Sequence, residues 1–83
     1  MKLVYFAWVR ERVGLAEETV DLPATVRTVA DLVAWQQGRG ETFAHAFENA
    51  PFIRVAIDRR HARPDQPVAG AGEIAFFPPM TGG

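Results

Sequence analysis

The chain contains no cysteine. Disulfides, thiol nucleophiles, persulfide carriers and cysteine-ligated zinc or iron–sulfur sites are therefore excluded, and the composition is compatible with a reducing compartment. Long apolar runs are missing as well. Leu3 to Val9 is far too short to span a bilayer and lacks the small-residue cleavage pattern of a signal peptide, so a soluble, cytoplasmic protein with no membrane partner is expected. Neither sign of charge dominates: the net charge is -1 and the pI about 6.1, which argues against a general nucleic-acid binder. The one dense basic cluster, Arg59, Arg60, His61 and Arg63, has no interleaved aromatic and reads as a solvated strand end. His45 and His61 lie far apart without His-x-x-x-His spacing, so no metal site is assigned. There is no Gly-x-x-x-x-Gly-Lys-[Ser/Thr] loop and no Gly-x-Gly-x-x-Gly after a strand, and hence no cofactor is expected on this chain itself.

What remains is 83 residues, 48% hydrophobic and 23% charged, enough for one small domain and no second one. Lys2 to Val9, rich in Val, Tyr, Phe and Trp, is expected to be the first strand. Gly14 supplies a turn, and Glu17 to Leu22 alternates polar and apolar as the second strand of a hairpin-like pair. Thr28-Val29-Ala30-Asp31 has the form of a capping box, so a helix starts there. Val29, Leu32, Val33 and Gln36 keep helical spacing, and Gly38 and Gly40 stop it. Trp35 falls at the edge of that stripe. Phe43, Ala44 and Phe47 suggest a short second helix, Ile53 to Ile57 a strand, Asp58-Arg59-Arg60 a turn, His61 to Arg63 a short edge strand, and Glu73 to Phe77 the last strand. This order suits an α+β roll, one mixed sheet with a helix across one face and the first and last strands side by side in its centre. Glu17 and Glu18, adjacent on a strand, point to opposite faces and read as solvated surface.

The body is expected to span 1–77 and a flexible Gly-Gly tail 78–83. Pro78-Pro79 ends the strand and aims the following Met80-Thr81-Gly82-Gly83 away from the body. Glycines without Cβ atoms thread channels that other residues block, and six residue steps from Phe77 to Gly83 at about 3.3 to 3.6 Å each reach roughly 20 Å. A carboxylate presented on such a tail can carry an acyl group once another protein activates it, most simply as an acyl-adenylate made from ATP. It can then pass to a sulfide, giving a thiocarboxylate, or to a lysine, giving an amide. Ordering the tail costs on the order of 1 to 2 kcal/mol per residue, so the folded body must dock first. Ile74 and Phe76 share one face of the last strand and Ala75 and Phe77 the other. Phe77 is then either a docking anchor beside the tail or the last residue of the core.

Tyr5-Phe6-Ala7 with Val9-Arg10-Glu11, the Thr28-Val29-Ala30-Asp31-Leu32 helix start, and the closing Glu73-Ile74-Ala75-Phe76-Phe77-Pro78-Pro79-Met80-Thr81-Gly82-Gly83 together resemble the MoaD family, the small subunits of molybdopterin synthase. The likeness spans the whole chain, and its most specific part is the Phe-Phe-Pro-Pro-x-x-Gly-Gly ending. It implies a β-grasp, ubiquitin-like fold. It also implies a cycle in which MoeB, an E1-like enzyme, adenylates Gly83 with ATP and a sulfurtransferase system converts it to a thiocarboxylate. The tail then enters the large subunit, MoaE, and gives sulfur to cyclic pyranopterin monophosphate during molybdenum cofactor biosynthesis, within a heterotetramer of two small and two large subunits. Carried over by position, Gly83 is the acyl and thiocarboxylate carrier, with Gly82, Thr81 and Met80 giving passage. Phe77 and Phe6 match partner-facing apolar positions beside Pro78 and Pro79, and Arg10 matches a recurring arginine. The sequence departs from the pattern at Asp58-Arg59-Arg60-His61, where relatives have an asparagine turn and then more apolar residues. A ThiS-like carrier for thiazole synthesis, a ubiquitin-like modifier joined to lysines, and an interaction domain with an incidental glycine ending are the alternatives.

Overall fold

The computed structural model describes residues 1–79. Its elements in chain order are β1 (Lys2–Tyr5), α1 (Ala7–Val13), β2 (Glu17–Thr19), α2 (Val29–Gln37), α3 (Glu41–Ala46), a 3-10 turn over Ala50–Phe52, β3 (Arg54–Ile57), β4 (Arg60–Ala62) and β5 (Glu73–Phe77). The strands form one five-stranded sheet in the order β2-β1-β5-β3-β4. β1 and β5 run parallel, with Leu3 opposite Ile74 and Tyr5 opposite Phe76, while every other pair is antiparallel. The first and last strands thus lie side by side inside the sheet, as their nearly continuous apolar sequences require. A mixed sheet with its helices on one face is the β-grasp roll.

The core explains the arrangement. Leu3 and Tyr5 from β1, Val55 from β3, and Ile74 and Phe76 from β5 meet Val29 and Leu32 of α2 together with Ala46 and Phe47 at the end of α3. Phe76 is its centre: its ring stacks on Tyr5 at 5.6 Å and meets Phe47 edge-on at 5.2 Å. Burying a ring of this size stabilises the fold by about 1.5 to 3 kcal/mol before packing specificity is counted. α2 starts at the capping box expected of it. The Thr28 hydroxyl accepts from the Asp31 backbone N–H at 3.2 Å, and the Asp31 carboxylate accepts from the backbone N–H of Thr28 at 3.1 Å and of Arg27 at 3.0 Å. These backbone donors hold the Asp31 carboxyl below its ordinary pKa.

Four expectations change. The first strand ends at Tyr5, and α1 occupies Ala7–Val13 where a longer strand and a break were expected. Val9 and Val13, four residues apart, are buried, and Gly14 closes the helix in the left-handed conformation (φ 85°), donating to the Arg10 carbonyl at 2.8 Å. The second strand is shorter than Glu17 to Leu22, covering Glu17–Thr19. Glu18 is not solvated surface, because its carboxylate is enclosed by Tyr5 and Arg39. The turn between β3 and β4 is as expected, with Asp58 and Arg59 both at positive φ (48° and 71°), and β4 begins one residue early, at Arg60. Asp58 also accepts from the backbone N–H groups of Gly72 and Glu73 at 3.0 and 2.9 Å, tying the turn to the start of β5.

Candidate functional site at the root of the tail

β5 delivers the chain to one end of the sheet, where Phe77, Pro78 and Pro79 are each half-buried. Gly83, Gly82, Thr81 and Met80, the expected carrier and passage residues, lie outside the described residues. The surroundings of the root are well defined. The Phe6 backbone N–H donates to the Phe76 carbonyl at 3.0 Å, which extends the β1–β5 pairing past the end of β1 and sets Phe6 alongside the close of β5. Phe6 is 49% exposed, high for a large apolar side chain.

Strand alternation decides where Phe77 points. Ile74 and Phe76 are fully buried on the helix side, so Phe77 faces the open side of the sheet. It pairs across to Arg54 on β3, and the His61 ring of β4 meets it edge-on at 5.5 Å. The residue is therefore neither wholly core nor fully exposed. Arg10 is exposed on α1 and makes no side-chain hydrogen bond or ion pair among the described residues.

On the helix side of the root is a cleft of about 410 Å³, lined by Trp8 and Arg12 of α1, Asn49, Phe52, Pro78 and Pro79. Phe52, on the 3-10 turn, is 61% exposed. Arg12 stacks on Trp8 with its guanidinium carbon 4.7 Å from the ring centroid. Trp8, Arg12 and Phe52 were not anticipated from sequence. The first two carry a legible signal, an aromatic and a cation four residues apart, once the segment is recognised as helical. The structure thus brings Phe6, Phe77, Pro78 and Pro79 to one end of the sheet and adds this second, mixed surface to them.

The sheet's other end of polar chemistry is internal. The Tyr5 hydroxyl donates to the Glu18 carboxylate at 2.6 Å and accepts from the Gln36 side-chain amide at 2.8 Å. Arg39 forks onto both Glu18 oxygens at 2.7 and 2.9 Å and also donates to the Gln36 side-chain oxygen at 2.9 Å. Bonding from Arg39 pulls the Glu18 carboxyl below its ordinary pKa, and burial pushes the Tyr5 phenol well above its own. Every member is satisfied, and the cluster ties β1, β2 and the end of α2 together. Among the described residues no group of three His, Asp or Glu side chains converges as a metal site, and no helix is long and apolar enough to cross a membrane.

The chain is similar over its length to known proteins. The ThiS family model matches residues 3–83. The molybdopterin synthase sulfur carrier subunit of Escherichia coli is 32% identical over 83 residues, covering 100% of this chain and 99% of the relative. The subunit of the same description from Haemophilus influenzae is 34% identical over 84 residues, with 100% and 99% covered. Among solved structures, the small archaeal modifier protein 1 of H. volcanii superposes with a TM-score of 0.71 at 25% identity, covering 95% of both chains.

Proposed function

The chain belongs to the ThiS family, and on that premise we propose that it is the sulfur-carrier subunit of a molybdopterin synthase. The observation that carries this reading is its likeness, over the full length, to two molybdopterin synthase sulfur carrier subunits. In this reading the Gly83 carboxylate attacks the α-phosphate of ATP in the site of a MoeB-like E1 enzyme, releasing pyrophosphate and leaving an acyl-adenylate. The outer sulfur of a sulfurtransferase persulfide displaces AMP, and a thiol reduces the resulting acyl disulfide to leave a terminal thiocarboxylate. The body then docks on a MoaE large subunit, where the thiocarboxylate sulfur bonds to cyclic pyranopterin monophosphate and water cleaves the acyl C–S bond, returning Gly83 to a carboxylate. Two such transfers build a dithiolene, which suits an assembly of two small and two large subunits working in the cytoplasm. ATP is used by the activating partner, and this chain binds no cofactor of its own.

Each part of the chain has a separable role in that cycle. Pro78 and Pro79 stiffen the exit from β5, Met80, Thr81 and Gly82 give slender passage, and Gly83 bears the reacting carbon. Phe6, Phe77 and Arg10 belong to the body's docking surface, which anchors the complex so that the tail is not required to hold it. The absence of cysteine is consistent with sulfur carried on a carbonyl rather than as a persulfide.

The test is the intact mass of the chain after incubation with an E1-like enzyme, ATP and a sulfur donor, with a variant lacking Gly83 alongside. A shift equal to one sulfur replacing one oxygen, dependent on Gly83, is expected; no shift with a demonstrably active enzyme refutes the carrier role. The likeness to the archaeal modifier favours one second reading, an isopeptide between Gly83 and target lysines. Lysine-linked conjugates that vanish without Gly83 would establish it, and preferential binding to a thiazole synthase over MoaE would move the chain to the thiazole pathway.

A further inference from the structure

Arg12 is held in an unusual state. Among the described residues its buried Nη1 has no hydrogen-bond partner and the side chain takes part in no ion pair, whereas Lys2, Arg39 and Arg63 each do. A guanidinium offers five N–H donors and does not lose its charge near neutral pH. Leaving one of its donors buried and unmatched works against folding. The Trp8 ring at 4.7 Å compensates in part and fixes the guanidinium plane in place. The cation therefore sits oriented but unsatisfied in the cleft formed with Asn49, Phe52, Pro78 and Pro79.

We propose that this Trp8–Arg12 shelf is a docking contact for the large subunit, whose occupant is an aspartate or glutamate side chain of that subunit seated on Arg12. The inference rests on the carrier reading above. Charge complementarity selects the occupant: a carboxylate accepts from the guanidinium N–H groups other than the buried Nη1, and it supplies the countercharge that no described residue provides. Location selects the partner, because Pro78 and Pro79 line the same cleft and a protein that takes in the tail from its root must pass over it. Trp8 and the 61%-exposed Phe52 provide the apolar surround that excludes water from such a contact. The chain's own terminal carboxylate is the poorer occupant, since seating it on Arg12 would withdraw the group the tail exists to present.

The experiment is calorimetric titration of the full chain into the large subunit at low and moderate salt, for the wild type, Arg12→Met and Arg12→Glu. Methionine keeps an apolar stem over Trp8 and removes the charge. Arg12→Met is expected to weaken binding by about tenfold or more, Arg12→Glu to weaken it further, and both to lose part of the salt dependence. Thermal unfolding of each variant checks that the fold is intact. Affinities within about twofold of wild type for both variants overturn the proposal. Tighter binding by Arg12→Met overturns it too, and assigns the guanidinium to the chain's own tail. A wild-type chain that does not bind the large subunit overturns this inference and the functional reading together, whereas wild-type binding with unaffected variants removes this inference alone.

Discussion

Trp35 and Arg39 at the end of α2, and Trp8 and Arg12 in α1, share a sequence spacing and a geometry: in each pair the guanidinium carbon sits 4.7 Å from the indole centroid. Their surroundings differ. Arg39 also lies 4.0 Å from the Phe43 ring centroid, forks onto Glu18 and reaches Gln36. Arg12 has a buried Nη1 with no partner among the described residues, and it lines a cleft. One stacked cation closes a polar cluster within the fold, and the other stands ready beside the root of the tail. The same local device thus stabilises the body at one place and leaves recognition capacity at another, and the hydrogen-bond inventory, not the stacking, separates the two uses.

The sharpest way to break the comparison is to remove each cation with the same substitution and measure stability by urea unfolding. Arg39→Met strips the Glu18 carboxylate of both guanidinium bonds while that side chain stays only 15% exposed, leaving Tyr5 as its remaining partner. Removing one member of a largely buried, hydrogen-bonded pair costs about 2 to 4 kcal/mol, somewhat below the fully buried case because Arg39 keeps partial solvent access. A loss below about 0.5 kcal/mol would show that the cluster is no more than a surface ion pair.

Acid sharpens the same contrast. Arg39 holds the Glu18 carboxyl below its ordinary value of 4.5, so the carboxylate contributes stability that is fully present above the unfolded-state pKa and lost as pH falls through the depressed folded value. The stability gap between wild type and Arg39→Met is therefore expected to be widest near neutrality and narrower at about pH 3, below the ordinary value of 4.5, where the carboxyl of the unfolded chain is already protonated. Urea midpoints at the two pH values check it. A gap that does not narrow would place the contribution of Arg39 in its stacking on Trp35 and Phe43 instead.

How much of this was legible in the sequence follows from the range of the interactions involved. The capping box at Thr28 and Asp31, the stop at Gly38 and the side-by-side placement of β1 and β5 are written in adjacent residues or in continuous apolar strands, and all are present. α1 was hidden because Trp8 and Val9 favour strands, and packing of Val9 and Val13 on the core outweighs that preference. The burial of Glu18 was equally hidden. Its partners Tyr5 and Arg39 stand 13 and 21 residues away, and no local pattern announces a pairing across the sheet and the end of a helix. At the site, Phe6, Pro78 and Pro79 could be named from motif alone. Trp8 and Arg12 required knowing that their segment is a helix.

The smallest expected effect carries the most information about Arg12. Its buried Nη1 makes no hydrogen bond among the described residues, so folding desolvates that N–H and gains no partner for it there. Arg12→Met removes the desolvation cost and retains much of the aliphatic contact with Trp8, while giving up the attraction between the cation and the ring. These terms oppose each other, each on the order of 1 kcal/mol, and stability within about 0.5 kcal/mol of wild type is expected. Urea unfolding of Arg12→Met beside Arg39→Met measures it under identical conditions. A loss as large as that at Arg39 would mean that Arg12 is satisfied within the folded chain after all, and the two corners would then be alike. A near-zero change would show that the attraction to Trp8 and the cost of burying Nη1 cancel, so that the guanidinium adds no net stability to the body.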